Sequence, residues 1–322
     1  MHWNKIGQIF DPSDHSVLGQ QLEFAQSPQT LILEDRVRVY FSTRSRSRSR
    51  YGDGKFLSHI AFVDFSRDFS QILGVSQEQV IPLGDLGCFD EHGIFPINVL
   101  SRSGEIFAYT CGWNRRVSVS VDTAIGLAKS YDGGRTFQKV GAGPVLGPSL
   151  NEPFLVGDGF VRFFKNQFHM WYIFGTSWAE LEAGCAPDRT YKIGHATSTD
   201  GVNWKKEDGV QIVSDRLPER ESQALPSVVE VGYRYLMAFC YRYSSDFRSN
   251  PERAYRLGFA WSDDLMEWSR ADDQFRFSGT TGCWDADMQC YPHVFELNGK
   301  TFLLYNGNEF GRHGFGLAEL IH

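Results

Sequence analysis

The feature that most constrains the fold of this chain is an internal repeat. A Gly-x-Ala strand leads into a Ser-x-Asp turn and then an aromatic residue in three clear copies, IGLAKSYDGGRTF (125–137), IGHATSTDGVNW (193–204) and LGFAWSDDLMEW (257–268). The turn residues Asp132, Asp200 and Asp264 lie 68 and 64 residues apart. Because Asp in such a turn accepts hydrogen bonds from amides that follow it, we expect these three side chains to be structural. Regular self-similarity of this kind indicates a repeat architecture.

A second repeated element places an acid five residues before a proline. Its four copies are EFAQSP (23–28), EHGIFP (91–96), ESQALP (221–226) and DMQCYP (287–292). A fifth copy without the proline is expected near residue 156, where Glu152 and Asp158 are both available. Each copy is followed by an apolar run, a short polar turn and a second apolar run, which is the pattern of a β-hairpin.

These elements together predict four strands in each unit and five units along the chain. The predicted fold is therefore all-β, a five-bladed β-propeller with four-stranded antiparallel blades. The last unit stops after its Gly-x-Ala strand, while residues 3–14 resemble the outer-strand segment 204–215. We therefore expect the N-terminal strand to close the last blade, so that residues 1–322 form a single domain.

The composition agrees with this prediction and excludes several functions. Aromatic residues make up 15% of the chain and glycines number 32, which favours strands and turns over helices. A net charge of −7 argues against a nucleic-acid partner. The absence of a long apolar stretch argues against a membrane protein, and the absence of an apolar leader predicts a cytoplasmic one. No spacing typical of a metal site is visible, so no cofactor is expected.

The repeated acids are the first candidates for chemistry. In a propeller, residues at the same offset before each inner strand are brought to one ring, so Glu23, Glu91, Glu221 and Asp287 should converge with Glu152 or Asp158. Carboxylates crowded in this way raise one another's pKa, and a protonated acid facing an ionised one can cleave a glycosidic bond. The alternative is that these acids cap turns by accepting hydrogen bonds from backbone amides.

Other residues are candidates for binding a substrate. The segment 42–54 carries four arginines, Arg44, Arg46, Arg48 and Arg50, which either belong to a solvated loop or bind an anionic group such as phosphate. Polar and aromatic residues expected to line the funnel are Gln26, His92, Gln223, Trp284 and His293.

The three G-x-A-x-S-x-D motifs and strand pairs such as DGFVRFFKNQFHMWYIFG (158–175) resemble the five-bladed propeller glycoside hydrolases, the group that includes families 32, 43, 68 and 130. The resemblance implies a funnel with three essential carboxylates. Carried over to this chain, it makes Glu221 the general acid, and it makes Asp158 or Glu152 the residue that orients the substrate.

The first unit departs from the pattern of that group. It has Gln26-Ser27-Pro28 where the family has Asp-Pro, so Glu91 or Asp287 would have to act as the base.

The function that this resemblance implies is cleavage or transfer of a glycosidic bond, with a saccharide or sugar phosphate as substrate. Two alternatives remain at this point. One is a non-catalytic glycan-binding propeller that has lost the first acid. The other is an enzyme that acts on an anionic sugar, similar to a sialidase or to a phosphorylase.

Overall fold

A computed structural model of the chain describes residues 1–46, 55–180 and 186–321, with the side chain of Arg46 outside the description. Strands dominate it. In chain order they are β1 (His2–Phe10), β2 (Gln26–Ile32), β3 (Val37–Arg46), β4 (Phe56–Phe65), β5 (Ile72–Val75), β6 (Gly93–Arg102), β7 (Glu105–Asn114), β8 (Asp122–Ser130), β9 (Gln138–Lys139), β10 (Val156–Phe164), β11 (Gln167–Ala179), β12 (Asp188–Ser198), β13 (Lys205–Lys206), β14 (Glu221–Val231), β15 (Arg234–Tyr243), β16 (Arg256–Ser262), β17 (Ser269–Arg270), β18 (Cys290–Leu297), β19 (Lys300–Asn306) and β20 (Phe315–Ile321).

Helices in the described ranges are short. They are two 3₁₀ turns, Pro12–Asp14 and Pro251–Arg253, and two single-turn helices, α1 (Asp272–Phe275) and α2 (Asn308–Gly311). None is long and apolar enough to cross a lipid bilayer.

The strands pair as antiparallel meanders. Three sheets have four strands each, in the orders β10-β11-β12-β13, β14-β15-β16-β17 and β18-β19-β20-β1. The remaining strands, β2 to β9, form one eight-stranded sheet. Within it β4 and β6 are joined by a single parallel residue pair, Ser58 and Gly93, and every other pairing is antiparallel. The strand order therefore repeats a four-stranded meander along the chain.

The N-terminal strand belongs to the same sheet as the C-terminal strands. β1 pairs with β20 in antiparallel register from His2 opposite Ile321 to Phe10 opposite Phe315. It supplies the outer strand that the last repeat lacks, as the sequence predicted. This pairing ties the two ends of the chain together and covers an edge that β20 would otherwise expose.

The first strand of each meander contacts the first strand of the next. β2 contacts β6, β6 contacts β10, β10 contacts β14, β14 contacts β18, and β18 returns to β2. These five strands therefore form a closed ring. Aromatic side chains such as Trp171 and Phe239 are buried in the core.

Four of the inner strands carry a β-bulge at the position of the repeated proline or just before it. At each of these bulges one residue has a left-handed backbone conformation: Ser27 (φ 54°), Asp158 (φ 52°), Leu225 (φ 51°) and Tyr291 (φ 54°). β6 has a corresponding register shift between Ile94 and Ile97. Bulges redirect side chains away from ordinary strand alternation, and such backbone strain is concentrated at functional sites.

The Ser-x-Asp turns have the structural role that the sequence predicted. In each turn one carboxylate oxygen accepts hydrogen bonds from two backbone amides that follow it. The pairs are Asp132 with Arg135 and Thr136, Asp200 with Val202 and Asn203, and Asp264 with Met266 and Glu267. The preceding serine also donates to the same aspartate in all three copies.

Candidate functional site

A cavity of about 580 Å³ opens beside the bulges of the inner strands. Four bulge-region residues line it, namely Phe95, Asp158, Leu225 and Tyr291. The second strands of the meanders contribute further lining residues near their ends, including Arg44, Trp113 and Arg242. The cavity therefore lies at one end of the ring of inner strands, where all the repeats contribute to it.

Asp158 is the only carboxylate among the lining residues in the described part of the chain. Its side chain is buried, and Oδ2 accepts one hydrogen bond, from the Leu225 N–H at 3.3 Å. Burial raises the pKa of Asp158 to about 7, although that amide and the nearby charge of Arg189 oppose the increase. A carboxyl group with this pKa is partly protonated at neutral pH, as a general acid must be.

Five arginines line the same cavity: Arg44, Arg115, Arg189, Arg242 and Arg248. In a chain with a net charge of −7, the described residues thus line this cavity with five guanidinium groups and a single carboxyl. Guanidinium groups bind carboxylates and phosphates with two parallel hydrogen bonds, so the lining is suited to an anionic ligand.

Arg44 is held in place by Gln26. Its Nε donates to Gln26 Oε1 at 3.0 Å, and the amide of Gln26 donates in turn to the Phe310 carbonyl at 2.6 Å. The guanidinium lies over the rings of Phe24 and Phe56, at 4.3 and 4.4 Å. Burial is the main cause that lowers the pKa of Arg44, and the positive charge of Arg248 acts in the same direction.

Arg242 is almost completely buried, at 1% exposure. Its guanidinium lies 3.5 Å from the centre of the Phe247 ring, its Nε donates to the Tyr191 hydroxyl at 3.3 Å, and Nη1 donates to the Tyr243 carbonyl at 2.8 Å. Arg248 lies against the same Phe247 ring at 4.1 Å. Two arginines therefore share one aromatic ring at this side of the cavity.

The other arginines lie on the second and third meanders. Arg189 Nη1 donates to Ser120 Oγ at 3.4 Å, and Arg115 donates to the Phe56 carbonyl and lies 4.9 Å from the Trp113 ring. Asp188, next to Arg189, accepts from Arg248 at 3.3 Å. The guanidinium groups thus come from four successive meanders and surround the cavity.

Three of the residues predicted from the sequence line this cavity, namely Gln26, Arg44 and Asp158. The rest of the arginine-rich segment falls outside the description, because Arg48 and Arg50 lie in the undescribed range and Arg46 has only its backbone described.

Glu221 does not line the cavity, contrary to the predicted convergence of the repeated acids. It is fully buried in an ion pair with Arg270 Nη1 at 2.6 Å, and Oε2 accepts from the amides of Arg216 and Leu217 at 2.8 and 2.9 Å. Its carboxylate turns back onto the loop that precedes β14, and Arg270 belongs to the outer strand β17. Glu221 therefore fastens an outer strand and a loop to the inner strand.

The same arrangement holds Glu152 away from the cavity. Glu152 is fully buried, pairs with Lys206 of β13 at 2.5 Å, and accepts from the Tyr172 hydroxyl at 2.7 Å. In two other meanders the equivalent buried pairs are Asp90 with Lys139 of β9, and Asp285 with Lys5 of β1. A buried acid that pairs with a cation on the outer strand is thus a repeated structural feature.

Glu91 and Asp287 also lie outside the cavity lining. Glu91 is buried and accepts from the Gly87 amide at 3.0 Å, which is the turn-capping role of the alternative interpretation. Asp287 is exposed, and its backbone N–H donates to Asn308 Oδ1 at 2.9 Å. In each case an acid one or two residues earlier in the sequence, Asp90 or Asp285, forms the buried ion pair instead.

The remaining predicted binding residues do not line the cavity. Gln223 donates to the Val213 carbonyl and to Glu221, and His293 is buried beside Thr30, with the two side chains 2.8 Å apart. Trp284 stacks on Tyr305 with ring centres 5.2 Å apart. His92 stacks on Trp113, at 5.9 Å, so it lies behind a lining residue.

The sequence interpretation missed four cavity arginines, Arg115, Arg189, Arg242 and Arg248. A signal for two of them was available, because Arg242 lies near the end of an apolar second strand as Arg44 does, and Arg115 directly follows β7. Recognising that these strand ends meet at one cavity required the bulges and the ring, which the linear sequence does not display.

Comparison with proteins of known structure defines the class. A thermostable family-43 glycoside hydrolase superposes with a TM-score of 0.65 at 12% identity, covering 92% of this chain and 90% of that one. The β-1,2-mannobiose phosphorylase of Listeria innocua, in complex with β-1,2-mannobiose, superposes with a TM-score of 0.68 at 11% identity, covering 99% and 97%. The fold is therefore that of the propeller glycoside hydrolases and phosphorylases, which confirms the resemblance drawn from the sequence.

Comparison of sequences gives the family. The chain is 31% identical to the uncharacterized protein Rv1502 of Mycobacterium tuberculosis (strain ATCC 25618 / H37Rv) over 99% of both chains, and it belongs to the same family. A weaker match, 26% identical over 132 residues, is to a β-1,2-mannobiose phosphorylase of Thermoanaerobacter sp. (strain X514), and it covers 39% of this chain and 42% of that protein. No family model matches the sequence.

Proposed function

We propose that this protein is a carbohydrate-active enzyme that cleaves a glycosidic bond in the cavity, with Asp158 as general acid and inorganic phosphate as the attacking group. The observation that carries the proposal is the composition of the cavity lining. It combines one carboxyl group, whose pKa is raised to about 7, with five arginines. Phosphorolysis needs one protein acid and a bound phosphate, and this lining supplies a carboxyl group and guanidinium groups suited to binding phosphate.

The proposed reaction starts with the protonated Asp158 beside the glycosidic oxygen. As the bond between the anomeric carbon and that oxygen breaks, Asp158 gives its proton to the leaving oxygen, and a phosphate oxygen forms the new bond to the anomeric carbon. The products are a sugar 1-phosphate and the released alcohol or sugar. The proton of the attacking hydrogen phosphate then returns to Asp158, so the acid is regenerated.

The arginines would orient the phosphate and offset its charge. Arg189 lies close enough to influence the pKa of Asp158, so it is the guanidinium that we assign to phosphate. A bound phosphate held by fixed donors needs little rearrangement as the bond forms, which is how preorganised charge lowers a barrier.

Hydrolysis by two carboxylates has less support. That reaction needs a second carboxylate across the cleft, either to activate water or to attack carbon. Among the described lining residues no such partner for Asp158 occurs, and Glu152 and Glu221 are held in ion pairs with Lys206 and Arg270. A sialidase-like reaction, which would use a Tyr–Glu pair, likewise lacks a glutamate in that part of the lining.

The comparisons with known proteins also support phosphorolysis as a reaction to test. A phosphorylase occurs both among the sequence matches and among the superposed structures, and both are β-1,2-mannobiose phosphorylases. We therefore propose a mannoside as the first substrate to try.

The overall fold in this proposal is one five-bladed propeller formed by residues 1–322, with the N-terminal strand closing the last blade. The closed ring of β2, β6, β10, β14 and β18 supports five blades. Under this interpretation the eight-stranded sheet is two adjacent blades, joined at the single parallel pair of Ser58 and Gly93.

A second candidate function is binding of a glycan without cleavage. Gln26 favours it, because this neutral amide lines the cavity in the first meander, where the resembling hydrolases have an acid, and because it is engaged with Arg44. A binding protein would use the arginines and aromatic rings of the cavity without a proton transfer from Asp158.

Product analysis distinguishes these candidates. The purified chain is incubated with a panel of mannobioses and aryl mannosides, with and without inorganic phosphate, and the products are identified by mass spectrometry. Phosphorolysis predicts a sugar 1-phosphate that forms only when phosphate is present. Free sugar in equal amounts without phosphate would show hydrolysis instead. Binding detected by calorimetry with no product under either condition would support the non-catalytic candidate.

A further inference from the structure

The cavity contains more positive charge than one phosphate neutralises. Arg248 has a carboxylate partner, Asp188, at 3.3 Å. Arg44, Arg189 and Arg242 have no carboxylate within 4.0 Å among the described residues. A phosphate dianion offsets two of these three charges, and Asp158 must be protonated to act as the acid. At least one guanidinium is then left without a counter-charge.

These arginines do not lie at the same place in the cavity. Arg189 lines the cavity together with Asp158 and bonds to Ser120. Arg242 and Arg248 lie on the Phe247 ring, and Gln26, which holds Arg44, donates to the carbonyl of Phe310, whose ring packs on Phe247 with ring centres 6.2 Å apart. The second group, which consists of Arg44, Arg242 and Arg248 and is called the Phe247 cluster below, is therefore distinct from the guanidinium nearest the acid.

The Phe247 cluster is built for an oxyanion. Arg242 is 1% exposed and is fixed by two hydrogen bonds to Tyr191 and Tyr243, and Arg44 is fixed by Gln26. Guanidinium groups held in this way have lost their side-chain freedom before a ligand arrives. A rigid fork of N–H donors then binds a carboxylate or phosphate bidentately, at a small cost in entropy.

We propose that the substrate itself carries an anionic group, a carboxylate or a phosphate ester, which the Phe247 cluster binds while inorganic phosphate occupies the Arg189 side next to Asp158. This inference rests on the proposed phosphorolysis, because the anionic group of the substrate would neutralise the positive charge of the arginines that one attacking phosphate does not neutralise. The substrate class is therefore an acidic or phosphorylated glycoside, bound together with a second anion.

Calorimetric titration of the intact chain tests the inference. The probes are mannose, mannuronate and mannose 6-phosphate, each titrated with and without saturating inorganic phosphate. We expect at least one of the two charged sugars to bind roughly tenfold or more tightly than mannose, as a charge-assisted bidentate contact implies. We also expect phosphate to leave the affinity of that charged sugar unchanged within about threefold, because the two anions occupy different groups of arginines. The comparison of mannuronate with mannose 6-phosphate identifies which oxyanion the site prefers.

Two variants test whether the Phe247 cluster causes the tighter binding of the charged sugar. Arg248→Gln and Arg44→Gln are expected to remove most of the preference for the charged sugar over mannose. Arg234→Gln is the matched control, because Arg234 is an exposed arginine on β15 that pairs with Asp263 outside the cavity. The control should keep the wild-type preference.

Other results would overturn the inference. Equal binding of mannose and both charged sugars would contradict an anionic substrate, and so would loss of the charged sugar on adding phosphate, which indicates a single anion site. Neither result would affect phosphate-dependent cleavage of a neutral mannoside. The proposed function fails separately, if the chain forms no sugar 1-phosphate from any glycoside, charged or neutral.

Discussion

Asp158 and Glu221 are both buried acids near the start of an inner strand, yet their surroundings give them opposite roles. Glu221 is paired with Arg270 and accepts two loop amides, so its charge is satisfied inside the protein. Asp158 has one amide partner at 3.3 Å, occupies a bulge with φ 52°, and faces the cavity. Burial without a satisfying partner raises the pKa of Asp158, and this makes it the better candidate for proton transfer.

The comparison also explains why repetition was a poor guide to chemistry. In four of the meanders a buried ion pair, such as Glu152 with Lys206, attaches the outer strand to the loop before the inner strand. A reaction needs one acid at one place, so the reactive group is expected to depart from the repeat. Asp158, followed by Gly159 where other copies have proline, is such a departure.

The largest effect on stability is expected at Glu221. Glu221→Gln removes one of the two carboxylates that face the buried Arg270 guanidinium, which keeps its ion pair with Asp272 at 2.8 Å. Breaking a buried ion pair from one side costs about 3–5 kcal/mol in the free energy of unfolding when the remaining charge has no other partner, so we expect a loss at the lower end, about 3 kcal/mol. Chemical denaturation measures this loss, with the exposed pair variant Asp263→Asn as control, for which a change of about 1 kcal/mol or less is expected. A loss at Glu221 no larger than in the control would contradict the structural role.

The pH dependence of activity should report Asp158. Because the protonated acid is needed and its pKa is about 7, kcat/KM is expected to fall as pH rises above 7. The decrease approaches about tenfold for each pH unit well above the pKa. The measurement is a pH profile of sugar 1-phosphate formation at saturating phosphate. A profile that stays flat to pH 9 would contradict a titrating acid in this range.

A buried histidine pair should give the chain a separate pH dependence, in stability. His169 Nδ1 and His195 Nε2 lie 3.0 Å apart, and Glu207 is the nearest carboxylate to His195, at 3.9 Å. Burial, helped by His169, lowers the pKa of His195 from 6.5 to about 4. The unfolded chain therefore binds a proton first, so stability is complete above pH 6.5 and is lost as pH falls towards 4.

Denaturant titrations between pH 7 and pH 4 measure this loss, and His195→Gln should weaken the dependence on pH. The same dependence in the wild type and the variant would rule out His195 as its source. The histidine effect is measured as stability and the Asp158 effect as activity, so separate experiments report them. In stability the raised pKa of Asp158 opposes the histidine effect between about pH 4 and 7, and the comparison of the wild type with His195→Gln isolates the histidine part.

The smallest expected effect is the loss of a single hydrogen bond to a repeated acid. Tyr172→Phe removes the hydroxyl that donates to Glu152 at 2.7 Å. The ion pair with Lys206 remains, so we expect a loss of about 1 kcal/mol in the free energy of unfolding. Tyr233→Phe, at an exposed tyrosine, is the matched control and should leave stability unchanged. A Tyr172 loss equal to that of Glu221→Gln would mean that the hydroxyl, and not the ion pair, holds the loop.

The sequence was sufficient to predict the strands and their order, because hydrophobic alternation, turn residues and the repeat all describe local or periodic properties. It also predicted that β1 completes the sheet of β18 to β20, and that Asp132, Asp200 and Asp264 organise turns. For the site, it proposed Asp158, Arg44 and Gln26 as residues of one funnel, and all three line the cavity.

The assignment of individual acids could not be made from spacing. Asp90 lies six residues before Pro96, Glu221 five before Pro226 and Asp285 seven before Pro292, so the acid that forms the ion pair has no fixed offset. Glu221 and Asp285 accept hydrogen bonds from amides of the preceding loop, so the loop and not the register of the strand places their carboxylates. A fixed five-residue spacing therefore selected Glu91 and Asp287, which are the neighbours of the paired residues.

The most direct test of the account compares the turnover of Asp158→Asn and Glu221→Gln on the same glycoside with phosphate, each corrected for its folded fraction at a temperature where both are native. We predict that Asp158→Asn loses about 10²- to 10⁴-fold in kcat, as removal of a general acid does, while Glu221→Gln stays close to wild type. Full activity in folded Asp158→Asn, together with loss of activity in folded Glu221→Gln, would contradict the account and return the catalytic role to the repeated acids.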